Sequence, residues 1–167
     1  GRAATVQAIC EIHKRFYELL PEELAWVENP DTGKKIKVLP GVLRKDDVRV
    51  GQHIGISPGA VPRFLEHFES TYSKLGKADS ILSAAATHHR LAWIHPFPDG
   101  NGRVMRLMSH AMFLDTLETD ALWSVARGLA RKSKEYKDHL ANCDLARRNS
   151  LDGRGSLSEE ALVDFTE

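Results

Sequence analysis

We predict an all-α domain that carries one small β-hairpin, and two features of the sequence lead to this fold class. Apolar residues recur every three or four positions in several segments, which is the spacing of amphipathic helices. Between residues 28 and 57 this spacing gives way to turn residues and short alternations of β-branched and polar residues, which are typical of paired strands. The chain of 167 residues is long enough for a single domain with a sizeable core.

The first helix is predicted close to the start of the chain. The apolar stripe that indicates it consists of Val6, Ile9, Cys10, His13, Tyr17 and Leu20. The stripe ends at Pro21, a residue that interrupts helical hydrogen bonding. Because His13 lies within this apolar stripe, we expect it to pack in the core rather than to take part in catalysis.

The β-hairpin is predicted at about residues 44–57. A turn sequence at residues 29–33 opens the region, and Val48 and Val50 then alternate with polar neighbours such as Arg49. A hairpin of this kind presents a strand edge to which an extended peptide can add as a further strand. An ordinary structural hairpin fits the same pattern.

The middle of the chain predicts three helices, over residues 61–75, 80–94 and 102–118. Pro62 falls in the first turn of the first of these helices, and Gly76 lies just past its end. Asp79 or Ser80 is expected to cap the start of the second helix. That helix should stop close to residue 94, because Pro96 disfavours helical geometry at the residue before it.

The C-terminal part of the chain predicts a short helix, a long polar helix and a final helix. Asp120 is expected to cap a helix that runs to about residue 126, and the polar helix should cover residues 132–148. Residues 152–155 form a loop that is rich in glycine. Ser156 and Glu159 then have the spacing of a capping box that opens the final helix.

The most informative segment is residues 95–106, His-Pro-Phe-Pro-Asp-Gly-Asn-Gly-Arg-Val-Met-Arg. Gly100 and Gly102 allow the backbone at the start of a helix to approach a phosphate closely, and the helix dipole favours that anion. Arg103 and Arg106 are three residues apart, so they lie on one face of the helix and reach the same anion. The segment therefore predicts a site for a diphosphate.

Two further side chains of the segment predict chemistry. Asp99 offers a hard oxygen ligand that suits Mg²⁺ together with substrate phosphates. His95 has the ordinary pKa of a general base that is neutral at pH 7. Taken singly, a histidine before proline is commonly a packing residue, a Gly-Asn-Gly sequence is commonly a turn, and two arginines are commonly a solvated face. Their conjunction in twelve positions favours a site that transfers a group containing phosphorus.

Residues 95–106 resemble the signature of Fic-domain proteins, H-x-F-x-D/E-G-N-G-R-x-x-R, and every defined position is matched. Residues 41–51, which include Gly41 to Arg44 and Val48 to Gly51, resemble the approach to the flap, a β-hairpin that covers the active site in this family. Tyr136, Leu140 and Asp144 resemble, more weakly, the helix that lines the nucleotide pocket. We expect one Fic domain over residues 1–167, as a fragment of a longer protein, since the chain begins at Gly1 rather than at Met.

The resemblance implies a Fic-type helical domain that transfers AMP from ATP to a Ser, Thr or Tyr hydroxyl of a target protein. It implies that His95 removes the hydroxyl proton and that Asp99 holds Mg²⁺ on the α- and β-phosphates. The residues that it assigns to ATP are Phe97, Asp99, Gly100, Asn101, Gly102, Arg103, Arg106, Tyr136 and Asp144. In this set the three backbone N–H groups of residues 100–102 form an anion hole, the two arginines bind the outer phosphates, and Phe97, like Ile94, points inward to fix the loop. The residues assigned to the target are Val48, Arg49 and Val50.

Other activities remain open at this point. They are transfer of another nucleotide or of phosphocholine, hydrolytic removal of AMP, and a regulatory module that binds a nucleotide and a partner without turnover. One branch of the family has lysine at the position of Gly102 and transfers the γ-phosphate, so Gly102 argues against that branch. The presence of His95 favours catalysis, because a pure binding module needs no base.

Regulation is a further expectation from the resemblance. Many family members carry a helix with the pattern S/T-x-x-x-E-G/N, whose glutamate pairs with the second arginine of the motif, here Arg106. Residues 156–161 approach this pattern but have Ala161 at its last position. We therefore expect Arg106 to be available to the γ-phosphate and Glu160 not to be the inhibitory glutamate. Any such glutamate would lie in another segment or in a partner.

Composition narrows the remaining classes of function. The 23 basic and 23 acidic residues balance, and basic residues form no stripe with aromatic ones, which argues against nucleic acid as a partner. The sequence contains no signal peptide and no apolar run long enough to span a membrane, so we expect no membrane association. Cys10 and Cys143 favour a reducing, cytoplasmic location. Oligomers are possible.

His88 and His89 raise the question of a zinc site close to the motif. Adjacent residues on a helix point about 100° apart, so these two side chains cannot converge on one ion. We therefore expect His88 to be a core histidine or a support for the loop.

Overall fold

A computed structural model describes residues 2–29, 32–51, 53–117 and 124–167 of the chain. Its helices are α1 (Val6–Glu18), α2 (Val61–Tyr72), α3 (Lys77–Leu82), α4 (Ala84–Ile94), α5 (Asn101–Leu117), α6 (Val125–Arg131), α7 (Ser133–Asn142) and α8 (Glu159–Thr166). Two antiparallel hairpins accompany them. In one, β1 (Trp26–Glu28) pairs with β2 (Lys35–Lys37), and in the other, β3 (Arg49–Val50) pairs with β4 (His53–Ile54). The all-α class with a small hairpin is confirmed.

The core forms around α4 and α5, which pack along each other, with α1 against α5 and α2 against α4. The side chains buried there include Ile9, Leu65, Phe68, Leu91, Ile94, Phe97, Met108 and Met112. Burying each such side chain stabilises the fold by roughly 1.5–3 kcal/mol. Because Ile94 and Phe97 belong to this core, the turn between α4 and α5 is anchored on both sides.

The helix predicted over residues 80–94 is in fact two helices, and the predicted caps were wrong. Gly76 precedes the first turn of α3, and Ser83 separates α3 from α4. The hydroxyl of Ser83 donates to the carbonyl of Asp79 at 2.5 Å, and bonds of this kind between a side chain and the preceding turn compete with regular helix. The predicted end of the segment at Ile94 is confirmed.

The polar helix predicted over residues 132–148 ends earlier, at Asn142. Beyond it, the chain pairs with the segment before α8, since Ser158 N–H donates to the carbonyl of Leu145 and Arg147 N–H donates to that of Ser156. Ser158, and not Ser156, caps α8, because its hydroxyl accepts from Ala161 N–H at 3.2 Å. The predicted cap at Asp120 lies outside the described residues.

The region of residues 28–57 forms two hairpins where the sequence analysis placed one. The predicted flap at residues 44–57 contains β3 and β4, joined through Gly51 with φ of 61°. The turn sequence that begins at Asn29 belongs to the other hairpin and connects β1 with β2. In the described ranges, no helix combines the length and the apolar character needed to cross a membrane.

Candidate active site

His95 occupies the turn at the C-terminus of α4. Its backbone is left-handed, with φ of 51° and ψ of 62°, and among the described residues it is the one non-glycine residue with positive φ. Nδ1 lies 3.2 Å from the carbonyl of Ala92. Since a carbonyl only accepts, Nδ1 carries the proton in this arrangement and Nε2 is the basic nitrogen. Burial lowers the pKa of His95 to about 4, so the ring is neutral at pH 7.

Arg44 holds this strained turn from the side of the flap. Its N–H donates to the carbonyl of Pro96 at 2.9 Å, and its Nε donates to the carbonyl of His95 at 2.6 Å. The guanidinium is buried and also donates to the carbonyls of Asp46 and Ile56 at the two ends of the flap. Left-handed backbone costs a residue with a side chain about 1–2 kcal/mol, and the bonds from Arg44 offset that cost.

The loop after His95 is fixed from within. The side-chain amide of Asn101 accepts from Phe97 N–H at 2.9 Å and donates to the carbonyl of Phe97 at 2.8 Å. The Phe97 ring is fully buried and stacks on His13 with 3.9 Å between ring centroids. Phe97 therefore supports the loop from beneath, which is the inward position that we expected for it.

His13 and Tyr17 of α1 support the other half of the loop. His13 Nδ1 accepts from Gly41 N–H at 2.9 Å, so its Nε2 carries the proton and donates to the carbonyl of Asp99 at 3.2 Å. The hydroxyl of Tyr17 donates to Asp99 Oδ2 at 2.7 Å. The core position expected for His13 is what the structure has, but the contact of Tyr17 with Asp99 was missed. Its four-residue spacing from His13, which places both on one helical face, was the available signal.

Asp99 is ionised at neutral pH. Burial raises the pKa of this carboxyl, but hydrogen bonds from Tyr17 and Gly100 N–H, together with Arg103, bring it below its usual value. Arg103 Nη2 lies 3.0 Å from Asp99 Oδ2. Within the described residues there is no group of three or more His, Cys, Asp or Glu side chains that holds a metal ion. A single carboxylate fits Mg²⁺ only where substrate phosphates supply further ligands.

The glycine loop leads directly into α5, a helix of 17 residues. Gly100 has φ of 84°, and a Cβ placed on it would lie 2.7 Å from the ring of Tyr17. A Cβ on Gly102 would lie 3.2 Å from Nη1 of Arg106, so this arginine folds back over the loop. The first N–H groups of a helix have no partner within it. In α5 these groups lie next to Gly100 and Gly102, whose missing side chains allow an anion to approach the backbone closely.

Arg106 lies beside Tyr136, which belongs to a chain of polar contacts. The Tyr136 hydroxyl lies 2.9 Å from His88 Nε2, and Ser109 Oγ lies 2.9 Å from His88 Nδ1. Burial raises the pKa of Tyr136, and the neighbouring Arg106 lowers it by less. Burial lowers the pKa of His88 to about 4. His88 thus supports Tyr136 beside Arg106, whereas Asp144 lies elsewhere, at 3.2 Å from His53 and 3.5 Å from His89.

A groove of about 320 Å³ lies between the flap and the start of the loop. Its lining includes His95 and Asp99, the flap residues Val48, Arg49 and Val50, and, on β1 and β2, Val27 and Ile36. The structure thereby brings the predicted base, the predicted carboxylate and the predicted flap to one cleft. The hairpin of β1 and β2 lines the cleft as well, which the sequence analysis did not foresee.

The loop, the flap and the surrounding helices define the class of this protein. The sequence model of the Fic/DOC family matches residues 3–113, which contain α1, both hairpins and the whole segment of residues 95–106. The chain belongs to the Fic/DOC family. The assignment of all 167 residues to a single Fic domain stays a prediction.

Several curated relatives carry the name protein adenylyltransferase Fic. The relative from Aedes aegypti is 30% identical over 112 residues, which cover 66% of this chain and 19% of the relative. The relative from Drosophila willistoni is 30% identical over 114 residues, which cover 66% of this chain and 20% of the relative. The chain therefore spans about a fifth of the length of these relatives.

A solved structure has a similar fold. It is a Fic domain containing signaling protein from Bacteroides thetaiotaomicron, with a TM-score of 0.50 and 21% sequence identity. The match covers 96% of this chain and 62% of that chain. At this identity the likeness concerns the fold, and it extends beyond residue 113 into the C-terminal helices.

Proposed function

We propose that this chain is a catalytic domain that transfers AMP from ATP to a Ser, Thr or Tyr hydroxyl of a target protein. The observation that carries the proposal is the neutral His95, which keeps Nε2 as its basic nitrogen and lines a groove between the flap and the start of the phosphate-binding loop. The names of the curated relatives support this activity.

In the proposed reaction, the target hydroxyl enters the groove and gives its proton to Nε2 of His95. The hydroxyl oxygen forms a bond to the α-phosphorus as the bond between that phosphorus and the bridging oxygen to the β-phosphate breaks. Pyrophosphate leaves, and AMP remains on the target oxygen. As in other phosphoryl-type transfers, most of the rate acceleration comes from positioning and charge neutralisation.

The remaining loop residues bind the nucleotide in this proposal. Backbone N–H groups of residues 100–102 receive the phosphates, and Arg103 and Arg106 bind the outer ones. Asp99 holds Mg²⁺, which neutralises phosphate charge when it is bound. Tyr136 orients Arg106, whereas Asp144 lies against His53 and His89, and its assignment to the nucleotide pocket stays a prediction. The target lies along Val48 to Val50 of the flap.

The decisive experiment compares wild type with His95→Ala, using labelled ATP, a protein lysate and mass spectrometry of the modified residue. Loss of a general base lowers transfer by roughly 10²–10⁴-fold, while ATP affinity measured by calorimetry stays close to wild type. His67→Ala is the matched control, because His67 is exposed on α2. An added group other than AMP, or equal transfer by wild type and His95→Ala, would contradict the proposal.

A further inference from the structure

His53 of β4 reaches from the flap to two acceptors on the body of the protein. Its Nε2 lies 2.9 Å from the carbonyl of Trp93, and its Nδ1 lies 3.2 Å from Oδ2 of Asp144. A carbonyl has no proton to donate, and neither does an ionised carboxylate. Nε2 of His53 therefore donates to the Trp93 carbonyl, and the carboxylate beside Nδ1 favours a proton on that nitrogen as well, which gives the imidazolium form.

The contact with Trp93 has a structural reason in α4. The last four carbonyls of a helix lack partners within it, and here all four receive a hydrogen bond from outside the regular helix. His95 N–H donates to Leu91, His95 Nδ1 donates to Ala92, His53 donates to Trp93, and Arg44 donates to Ile94. Two cations at this helix C-terminus also have a favourable interaction with its dipole.

Asp144 receives His53 at the junction of three elements. It follows α7, its Oδ1 lies 3.5 Å from His89 Nε2 on α4, and the guanidinium of Arg154 lies nearby in the loop before α8. Burial raises the pKa of Asp144, but the neighbouring His53 and His89 side chains lower it by more, so the carboxylate is ionised. Among the described residues, Oδ1 is buried without a hydrogen-bond partner of normal geometry. The carboxylate is therefore committed mainly to His53.

The paired strands of the flap are short and exposed. Its two paired strands have two residues each, and Val50 and Ile54 are 52% and 67% exposed. A two-stranded hairpin is marginally stable by itself in water. Arg44 holds the flap at its start and end, and His53 holds β4, with 6.4 Å between the ring centroids of His53 and His95. Displacing His53 would move the flap relative to the base.

We propose that His53, held as a cation by Asp144, is a positioning residue that fixes the flap over His95 for attack by the target hydroxyl. This inference rests on the proposed function. We call the pair the His53–Asp144 latch. It acts on the alignment of the target and makes no contact with the phosphates.

The latch and the base respond to pH in opposite ways, because the latch needs a protonated His53 whereas the base needs an unprotonated His95. The charged and titratable groups that act on His53 are Asp144, Arg44 at the flap base and His95, and His89 lies on the far side of Asp144. The interaction of the His53 ring with the Asp144 carboxylate raises the pKa of His53 above its ordinary 6.5, against burial, which lowers it. The latch is intact at low pH and is lost as pH rises through this pKa. His95, with a pKa of about 4, is already neutral over that range.

The first test measures the charge of His53 directly. In this chain labelled with ¹⁵N, both ring nitrogens of His53 should give the signals of protonated nitrogen at pH 6. Asp144→Asn should shift this titration to lower pH. A neutral His53 ring at pH 6 would overturn the proposal, and this measurement does not depend on any transfer activity.

The second test uses His53→Gln, which keeps one donor but has no charge. Loss of a charged hydrogen bond should raise the KM for a target protein about tenfold, while the KM for ATP stays close to wild type. Hydrogen exchange at Gly55 N–H, which donates to Val48 within the flap, should become faster. His53→Lys retains a cation and should recover part of the loss. His67→Gln, on exposed α2, is the control.

The outcomes separate the latch from the activity. The latch would be overturned if His53→Gln kept the wild-type KM for the target and the wild-type rate of flap exchange. It would also be overturned if the KM values for target and ATP rose equally and the melting temperature fell. If wild type transfers no AMP to any protein, the proposed function fails, and the nitrogen signals and flap exchange still decide the latch. His53→Gln and Asp144→Asn should be non-additive when combined.

Discussion

Asp99 is the residue whose charge the proposed nucleotide site uses most directly. Its carboxylate accepts from Tyr17 at 2.7 Å and from Arg103 at 3.0 Å, and it stays ionised at neutral pH. It is also 39% exposed, so it remains accessible to a metal ion carried by the phosphates. A hard cation binds a neutral amide far more weakly than a carboxylate.

Asp99→Asn should therefore abolish transfer and lower the affinity for Mg²⁺ in the presence of a non-hydrolysable ATP analogue. Isothermal calorimetry measures that affinity at fixed analogue concentration. Asp138→Asn is a suitable control, because Asp138 forms an exposed ion pair with Lys134 at 2.7 Å on α7. Unchanged Mg²⁺ affinity in Asp99→Asn would show that Asp99 is not the ligand.

Gly100 is the glycine of the loop with the strongest structural requirement. Its φ of 84° disfavours a side chain, and the ring of Tyr17 lies 2.7 Å from the position of a Cβ. Gly100→Ala should cost about 1–3 kcal/mol of unfolding free energy, measured by urea denaturation. Gly128→Ala in α6 has open space around it, and there alanine should be neutral or stabilising by up to about 1 kcal/mol. Equal effects of the two changes would contradict this account.

The site residues that were predicted from the sequence lie close together in the chain, whereas the residues that were missed contact partners that are far away in the chain. His95, Asp99 and both glycines fall in twelve consecutive positions, so local chemistry identifies them. Tyr17 reaches Asp99 across 82 positions, and Arg44 reaches the His95 carbonyl across 51. Contacts of this range depend on how helices pack, and single-sequence periodicity contains no information on that packing.

Among the elements, α8 bears on regulation. Glu160 in its first turn pairs with Arg148 at 2.6 Å, and its N–H donates to Asp152. Asp152 also accepts from Glu159 N–H, so it holds the start of this helix. Glu160 thus has a local structural partner, and Arg106 lies beside Tyr136.

We expect Glu160→Gly to leave auto-modification by ATP essentially unchanged, since Glu160 pairs with Arg148 and an exposed ion pair contributes about 1 kcal/mol or less to stability. Mass spectrometry of the chain after incubation with ATP measures this, and Glu159→Gly controls for the loss of a helix-forming residue. Strong activation by Glu160→Gly alone would identify Glu160 as an inhibitory glutamate and contradict the expectation that Arg106 is available.

Element boundaries were predictable where a residue type imposes them. Pro96 ends α4 and Gly100 precedes α5, so both ends of the predicted turn agree with the structure to within one residue. The break at Ser83 and the early end of α7 depend on hydrogen bonds from Ser83 and Ser158 that only the folded chain makes. The division of residues 28–57 into two hairpins was equally hidden, because turn residues do not specify which strands pair.

At the scale of the whole molecule, three histidines are kept neutral by burial. His13 lies between Gly41 N–H and the carbonyl of Asp99, His88 lies between Ser109 and Tyr136, and His95 closes α4. Burial lowers the pKa of each to about 4. These side chains lie beneath the loop, beside Tyr136 and at the end of α4, so the candidate site and the core share one dependence on pH.

The chain should lose stability in mild acid for this reason. In the unfolded chain these histidines take up protons near pH 6.5, whereas the folded chain holds them neutral down to about pH 4. Their stabilisation is therefore present above pH 6.5 and is lost as pH falls towards 4, at about 1.4 kcal/mol per histidine and pH unit. His53 opposes this trend, because its pKa is raised, but it is one residue against these three, and burial lowers the pKa of His89 as well. Thermal unfolding at pH 7 and pH 5 measures the difference, and His67→Gln on exposed α2 should leave it unchanged. A melting temperature that is equal at both pH values would mean that the three histidines are not held neutral in the folded protein.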